Sequence, residues 1–227
     1  MSRVLLEVCV ETVADAVAAE RGGADRLELC SALDLGGLTP TPGMYLAVRA
    51  AVRLPLVVML RPRAGGFVYT ADELNVILRD QELFRPHQPA GFVFGPLLLH
   101  QAVDREAVAV LRAGCGRADA VFHRAFDETP DPDRAVEDLI ELNVTRVLTS
   151  GGAETAVLGA ERIAKTVRSD SGRIQVLACG KVNATSANAV LDETRCGQLH
   201  GAFRLNGRTS ERAVAEARQA VDQWADG

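Results

Sequence analysis

The segment that decides the fold is Val121 to Asp127, with the sequence V-F-H-R-A-F-D. An apolar run ends there in histidine, arginine and aspartate, which is typical of a β-strand that finishes at a chemical site. Side chains alternate between the two faces of a strand, so Val121 and His123 share one face while Phe122 and Arg124 share the other. Asp127 follows on the loop. The alternative interpretation is a buried structural histidine beside a solvated Arg/Asp pair, and the rest of the chain has to decide between the two.

The composition excludes several classes of protein. Of the 227 residues, 48% are hydrophobic but only 4% are aromatic, so the core has to be built from Leu, Val, Ala and Ile, as in packed α/β proteins. The chain has 25 basic and 30 acidic residues and no basic cluster, so we expect no nucleic-acid partner. No membrane-length apolar run and no secretion signal are recognisable, which predicts a cytoplasmic protein without a membrane partner. The five cysteines lack a C-x-x-C pair, which disfavours a disulfide scaffold.

Short apolar runs alternate with amphipathic segments along the whole chain. Gly22-Gly23 ends the first helix, and Thr70 with Glu73 predicts a capping box at the start of the third. The predicted strands are Val4–Val10, Asp25–Cys30, Pro55–Arg61, Gly91–Gly95, the opening segment, Arg146–Thr149, Ile174–Cys179 and Leu199–Phe203. The predicted helices cover about residues 12–21, 44–52, 70–84, 104–113, 132–142, 155–167, 184–192 and 210–224.

Eight strand–helix units are the number that closes a parallel barrel. We therefore predict a single-domain (β/α)₈ TIM barrel over residues 1–227, with its core at about 4–203 and a C-terminal helix at about 210–224. The alternative is a doubly wound open sheet. It is disfavoured because no G-x-G-x-x-G motif follows the first strand, and no organic cofactor is predicted.

In a barrel, every second side chain of a strand points into the lumen. The apolar residues have to face the helices, so alternation directs the polar residues inward at or near the carboxyl ends of the strands, where the active sites of TIM barrels lie. Burying a lone carboxylate costs several kcal/mol, which favours a functional site over a structural layer. Taken singly, a glutamate could instead be a structural partner of the inward arginine, and each cysteine a small buried hydrophobe. The residues predicted to face inward are Glu7, Cys9, Glu28, Cys30, Met59, Arg61, His123, Thr149, Cys179 and His200.

Arg124 has the opposite parity. It is predicted to point toward the helices and to brace Asp127 or a loop.

Six motifs of the chain resemble the copper-homeostasis CutC family. They are L-E-V-C-V, G-G-A-D-R-L-E-L-C-S-A-L, G-G-L-T-P, R-P-R, F-H-R-A-F-D and V-L-T-S-G, and they span about residues 4–203 in the family's order. The resemblance implies a TIM barrel and a cytoplasmic, copper-associated protein with a poorly defined biochemical activity. The chain departs from the family pattern at Cys179, Lys181 and Gly201, so the resemblance does not imply which substrate, if any, this chain binds.

The first functional hypothesis, which the resemblance implies, is a copper-binding protein. Cu(I) would be held by the thiolates of Cys9 and Cys30 at the ends of the first two strands, and soft sulfur ligands suit this ion. His123, His200 and Cys179 are further candidate ligands.

The second hypothesis is an enzyme that acts on a small anionic or phosphorylated metabolite. Arg61 would fix the anion, and His123 would be a general acid/base oriented or charge-tuned by Glu7, Glu28 or Asp127. Glycine-rich turns after late barrel strands commonly bind phosphate through backbone N–H groups. The predicted catalytic residues are Glu7, Glu28, Arg61, His123, Asp127 and His200. The predicted substrate-binding residues are Arg63, Thr149, Ser150, Gly151, Gly152, Gly180 and Lys181.

A purely structural or interaction protein is the least favoured hypothesis. A homo-oligomer is expected, and a symmetric dimer is the commonest form.

Overall fold

The fold is a closed barrel of eight parallel strands in chain order, in a computed structural model that describes residues 3–170 and 172–226. The prediction of a TIM barrel is therefore confirmed. The last strand pairs with the first, where Leu5 lies opposite Gln198 and Glu7 opposite His200. The barrel strands are β1 Leu5–Val10, β2 Arg26–Leu29, β3 Leu56–Met59, β4 Gly91–Phe94, β5 Asp119–Phe122, β6 Arg146–Thr149, β7 Gln175–Ala178 and β8 Gln198–Gly201.

A helix follows each strand and covers the outside of the barrel. Threonine or aspartate caps the amino ends of five of these helices by accepting a backbone N–H, and Thr70 and Glu73 form the predicted capping box. The helices are α1 Val13–Arg21, α2 Pro42–Ala51, α3 Ala71–Phe84, α4 Arg105–Cys115, α5 Pro132–Glu141, α6 Ala160–Asp170, α7 Ala187–Thr194 and α8 Glu211–Asp226. Within the described residues, no helix combines the length and apolar character needed to cross a membrane.

The main hydrophobic core lies between the strands and the helices. The outward residues of β1 and β2, Leu6, Val8, Leu27 and Leu29, are completely buried in it. The lumen holds two smaller apolar clusters. One contains Cys30, Val57, Met59, Val93 and Val121, and the other contains Leu148, Leu177 and Cys179. The predicted alternation is therefore present in these strands, and it leaves the remaining inward positions to polar groups.

Two segments differ from the predicted secondary structure. The helix α6 begins at Ala160 rather than near Thr155, because residues 155–159 form a separate turn against the β6 loop. After β8 the chain forms a short hairpin, β9 Arg204–Leu205 and β10 Arg208–Thr209. Its turn residues Asn206 and Gly207 both have positive φ, which is typical of a two-residue Asn-Gly hairpin turn.

Candidate functional site

The amino-terminal half of the lumen is charged rather than apolar. Glu7 forms a buried salt bridge with Arg26, which also donates to Gln198 at 2.8 Å. Arg146 pairs with Asp119 at 3.0 Å. Burial opposes the ionisation of Glu7, but Arg26 and the hydrogen bond from His200 lower the pKa of this carboxyl to about 2. Glu7 is therefore a carboxylate that anchors the groups above it.

Two glutamates fix the orientation of the His200 ring above these charged residues. Its Nδ1 lies 2.8 Å from Glu7 Oε1, and its Nε2 lies 3.8 Å from Glu28 Oε2. Burial alone would lower the pKa of His200, but Cys9, Glu28 and the bond to Glu7 raise it well above its usual value. Because Glu7 is ionised, Nδ1 donates, and Nε2 is directed to the other two groups.

Cys9, Glu28 and His200 form a compact group at the floor of the barrel mouth. One sulfur, one carboxylate oxygen and one ring nitrogen from these buried residues lie within 4.8 Å of one another. Burial raises the pKa of Glu28, Glu7 adds to the rise, and His200 opposes it. The group has the donor types that bind a metal ion, among them a thiol and an imidazole that suit copper.

The second predicted thiol ligand lies next to this group. Cys30 Sγ donates to Glu28 Oε2 at 3.4 Å. Burial and the neighbouring Glu28 raise the pKa of Cys30 well above its usual value, so the metal-free thiol is protonated. Cys179, a further candidate ligand, lies instead in an apolar cluster with Leu148 and Leu177.

A cavity of about 230 Å³ opens above these side chains at the carboxyl ends of the strands. This is the face where TIM barrels assemble active sites. It contains both the thiol-bearing group and a separate set of cationic and aromatic side chains. Its lining residues are Cys9, Glu28, Cys30, Leu33, Gly36, Met59, Arg61, Phe67, His123, Arg124, Leu148, His200, Ala202 and Arg204.

Arg61 enters the cavity from the end of β3 and is 6% exposed. Its guanidinium donates to the carbonyl oxygens of Leu35 and Gly37, both at 3.2 Å, and of Gly65 at 2.7 Å. The guanidinium carbon lies 4.9 Å from the centre of the Phe67 ring. Arg61 thus joins the loops after β2 and β3 over the barrel mouth.

His123 follows β5, and its ring packs against Phe67 with the ring centres 4.8 Å apart. Its Nδ1 accepts the N–H of Ala125 at 3.1 Å. Burial and the charge of Arg61 lower the pKa of His123 to about 3, so the imidazole is neutral at physiological pH. The expectation that Glu7, Glu28 or Asp127 orients or charge-tunes this histidine is wrong, because the partner of Nδ1 is a backbone amide and the charge that shifts the pKa of His123 is that of Arg61.

Asp127 lies outside the cavity and organises the loop after β6. Its carboxylate accepts from the Thr149 hydroxyl at 2.5 Å, from the Ser150 N–H at 3.0 Å and from the Gly152 N–H at 3.0 Å. The Gly151 N–H donates to the Thr149 hydroxyl at 2.9 Å. These backbone donors are therefore already occupied, which contradicts the prediction of a phosphate-binding turn at residues 149–152.

The orientation of Thr149 in β6 also differs from the predicted one. Arg146 and Leu148 take the inward positions, so Thr149 faces away from the lumen and toward Asp127. Arg124 braces Asp127 at 3.2 Å, as predicted, but it also lines the cavity, which its predicted orientation excluded.

The remaining predicted substrate-binding residues do not line the cavity. Arg63 pairs with Glu73 and donates to carbonyl oxygens of its own loop. Lys181 forms an exposed salt bridge with Glu154, and the Gly180 carbonyl accepts the N–H of Ala156. These contacts give Arg63, Gly180 and Lys181 structural roles in their loops.

Several residues of the site were not predicted from the sequence. Arg26 shares the parity of Glu28, so strict alternation along β2 could have found it. Arg204 reaches the cavity from the hairpin β9–β10, which the dipeptide Asn206-Gly207 signals. Phe67 had no such signal, because an irregular loop positions it.

Comparison with known proteins places this barrel in a family. The sequence model of the CutC family matches residues 4–205, which is most of the chain. The chain belongs to the CutC family. The human copper homeostasis protein cutC homolog is 40% identical over 200 residues, which cover 88% of this chain and 73% of the human protein. A CutC family protein of Treponema denticola is 41% identical over 200 residues, covering 88% of this chain and 81% of that protein.

Solved structures agree with this family membership. The putative copper homeostasis protein CutC of Streptococcus agalactiae superposes with a TM-score of 0.84 at 29% identity, covering 91% of this chain and all of the other. Thiamine phosphate pyrophosphorylase of Pyrococcus furiosus has a TM-score of 0.67 at 17% identity, with 97% and 96% of the two chains covered. The second likeness shows only that both are barrels of the same kind.

Proposed function

We propose that this CutC family member binds Cu(I) at the mouth of its barrel, through Cys9, Cys30 and His200. The observation that supports the proposal most directly is the buried group of Cys9, Glu28 and His200, whose donor atoms lie within 4.8 Å of one another. Cys30 adjoins it through Glu28. Two sulfurs and an imidazole are soft or borderline ligands, which Cu(I) prefers to oxygen.

Glu28 has a distinct part in this proposal. In the metal-free protein its Oε2 accepts a hydrogen bond from Cys30, and burial raises its pKa. A thiol has to lose its proton to become a metal ligand, so binding releases protons and strengthens as pH rises. We infer that Glu28 stabilises the protonated site and that the thiolates replace this contact when copper binds.

An anaerobic Cu(I) titration with a competing chelator tests the proposal. Cys9→Ser and Cys30→Ser should each weaken binding by about 100-fold, which corresponds to about 3 kcal/mol. The matched control is Cys115→Ser, because Cys115 is a buried thiol that does not line the cavity and donates to the Leu111 carbonyl at 3.3 Å. The proposal is wrong if the double variant Cys9→Ser/Cys30→Ser binds Cu(I) as tightly as the parent.

We propose as a second candidate a barrel enzyme that acts on a small anionic metabolite. It is supported by a carboxyl, Glu28, and an imidazole, His200, that face the same cavity as the cationic Arg61. Glu28 and His200 are candidates for proton transfer because their surroundings raise the pKa of both groups. A metabolite screen followed by turnover assays tests this function, and Glu28→Gln should abolish any turnover found.

We further propose a cytoplasmic homodimer. All five cysteines are free thiols, which suits a reducing compartment. Val76, Leu83 and Val110 expose about half of their surface on the adjacent helices α3 and α4, where a second copy could cover them. Light scattering of the purified protein should give twice the mass of 24.2 kDa.

A further inference from the structure

We propose that Arg61 and His123 form a subsite for the carboxylate of a small organic anion, using residues other than the copper ligands. The inference deepens the second proposed function, since it names the class of metabolite that the cavity accepts. It is carried by two buried N–H groups, on Arg61 and on His123, that have no hydrogen-bond acceptor among the described residues.

Arg61 differs from the other buried arginines of this protein. Arg26 pairs with Glu7, Arg146 with Asp119 at 3.0 Å, and Arg218 with Asp25 at 2.8 Å. Arg61 forms no salt bridge with any carboxylate in residues 3–170 and 172–226, although it is as deeply buried as the others. A buried cation without a counter-ion is strongly disfavoured. An anion bound in the cavity would supply the counter-ion that Arg61 lacks.

The hydrogen bonds of Arg61 leave its Nε without a partner among the described residues. Its two terminal nitrogens are committed to loop carbonyl oxygens, while Nε has no partner within the described structure. The Tyr69 phenol also lies beside the guanidinium, but its oxygen likewise makes no hydrogen bond that meets normal geometry. Arg61 can therefore direct an N–H and a positive charge to a ligand without losing its loop contacts.

His123 supplies a second donor in a fixed tautomer. Because Nδ1 accepts the Ala125 N–H, the proton of the neutral ring has to be on Nε2. Nε2 is buried and has no partner in the part of the chain that the structure describes. His123 lines the cavity, and its unpaired Nε2 is a hydrogen-bond donor and not an acceptor.

Arg61 and His123 both pack against the ring of Phe67, and packing restricts the position of both side chains. The Phe67 ring lies 4.9 Å from the Arg61 guanidinium carbon and 4.8 Å from the His123 ring centre. A Cβ on Gly95 would lie 2.3 Å from the His123 ring, so this ring rests directly on the β4 backbone. Fixed donors that bind without rearrangement are characteristic of a preorganised oxyanion site.

The chemistry favours a carboxylate over a phosphate. A carboxylate has two oxygens, and the unpaired Nε of Arg61 and Nε2 of His123 can each donate to one of them. Phosphate sites in barrels use several backbone N–H groups, and in the β6 loop Asp127 and Thr149 already accept them. The volume of about 230 Å³ lies below the usual range for drug-sized ligands, so the anion has few heavy atoms.

Glu28 indicates a second polar group on the ligand. Its Oε1 is buried and lacks a hydrogen-bond partner among the described residues, although Glu28 lines the same cavity. A hydroxyl on the anion could satisfy this oxygen. The structure therefore favours a small hydroxycarboxylate over a plain carboxylate.

Long-range ¹H–¹⁵N spectra of the histidine rings test the subsite in the full-length, metal-free protein. The probes are lactate, acetate and inorganic phosphate. We expect lactate to shift the His123 Nε2–H signal saturably, acetate to bind more weakly because it lacks the hydroxyl, and phosphate to leave the signal unchanged. His123→Phe keeps a ring against Phe67 and assigns the signal by its loss.

Variants of the two donor residues test the subsite. His123→Phe leaves the loop contacts of Arg61 in place, whereas Arg61→Lys keeps the charge but loses Nε–H together with the bonds to the loop carbonyls. Each variant should bind lactate at least about tenfold more weakly, as measured by calorimetry. Arg49→Met is the matched control, since Arg49 also donates to backbone carbonyls but lies on α2 outside the cavity. It should bind lactate within about twofold of the parent.

The outcomes distinguish this subsite from the proposed functions. A shift with phosphate alone would overturn the carboxylate assignment, and parent-like lactate binding by His123→Phe would overturn the subsite. Lactate binding without turnover of any carboxylate contradicts the enzymatic function while the subsite stands. Absence of lactate binding contradicts the subsite whether or not Cu(I) binds.

Discussion

Glu7 holds two charged groups at once inside the barrel, because Arg26 and His200 both bind its carboxylate. Glu7→Gln keeps the size of the side chain and an oxygen that can accept from His200, but it leaves Arg26 without a buried counter-charge. Breaking a buried ion pair by removing one partner destabilises a protein by about 3–5 kcal/mol. Urea unfolding of Glu7→Gln should show a loss of this size.

Glu216→Gln is the matched control for this substitution. Glu216 pairs with Arg212 one turn away on the exposed face of α8, where solvent screens the interaction. This variant should unfold at the urea concentration of the parent. A Glu7→Gln protein as stable as the parent would mean that the amide and Gln198 satisfy Arg26 without the charge.

Single residues also show where reasoning from the sequence succeeds and where it does not. Alternation in β1 and β2 correctly directs Glu7, Cys9, Glu28 and Cys30 inward, because their neighbours are strongly apolar and define the outer face. In β6 the sequence R-V-L-T offers an arginine and a leucine for the same face, so the pattern is ambiguous and Thr149 is misplaced.

The structural role of Asp127 cannot be predicted from the sequence, for a different reason. A loop carboxylate after a strand can serve chemistry or can bind backbone N–H groups, and the linear sequence does not separate the two. Ser150 and Gly152 lie about 25 residues after Asp127 in the sequence, and only the folded β6 loop brings them to its carboxylate.

At the scale of elements, the carboxyl end of β4 sets the position of His123. Gly95 follows β4, and a Cβ there would lie 2.3 Å from the His123 ring and 3.0 Å from the Ala125 side chain. Gly95→Ala should therefore displace the ring, destabilise the fold by about 1–3 kcal/mol and weaken lactate binding. Thermal unfolding and calorimetry of the same variant measure the two effects.

Gly66→Ala controls for the change from glycine to alanine. Gly66 is exposed in the loop after β3, and a Cβ there would meet nothing within 4 Å. This variant should keep the stability and the lactate affinity of the parent. If Gly95→Ala behaves in the same way, the His123 ring does not rest on β4 as described.

The number and order of the elements could be predicted because each strand and each helix has its own periodicity and its own caps. The helix boundary that differs from the prediction lies where tertiary contacts override the local sequence pattern. Residues 155–159 could continue α6, but Gly159 lies against the Ser150 carbonyl, where a Cβ would come within 1.8 Å, and the helix starts after it. The hairpin β9–β10 has a clear local signal in Asn206-Gly207 and was predictable in principle.

At the scale of the whole molecule, the two buried histidines of the cavity respond to pH in opposite directions. The folded pKa of His200 is raised, so its stabilising contribution is complete below the usual value of 6.5 and is lost as pH rises through the folded pKa. The folded pKa of His123 is lowered from 6.5 to about 3, so the unfolded chain gains a proton first as pH falls. His123 therefore removes stability from the protein as the solution becomes acidic.

The size of this effect follows from linkage. Between pH 7 and pH 5 the neutral His123 should lower the free energy of unfolding by about 2 kcal/mol, because the unfolded imidazole takes up a proton over this range and the folded one does not. His123→Gln removes the titrating group, so the difference in its unfolding free energy between the two pH values should be about 2 kcal/mol smaller than in the parent. Urea unfolding at both pH values measures it. His87→Gln, which removes an exposed imidazole, should follow the parent, and a His123→Gln protein that loses as much stability as the parent would show that His123 is protonated in the folded barrel.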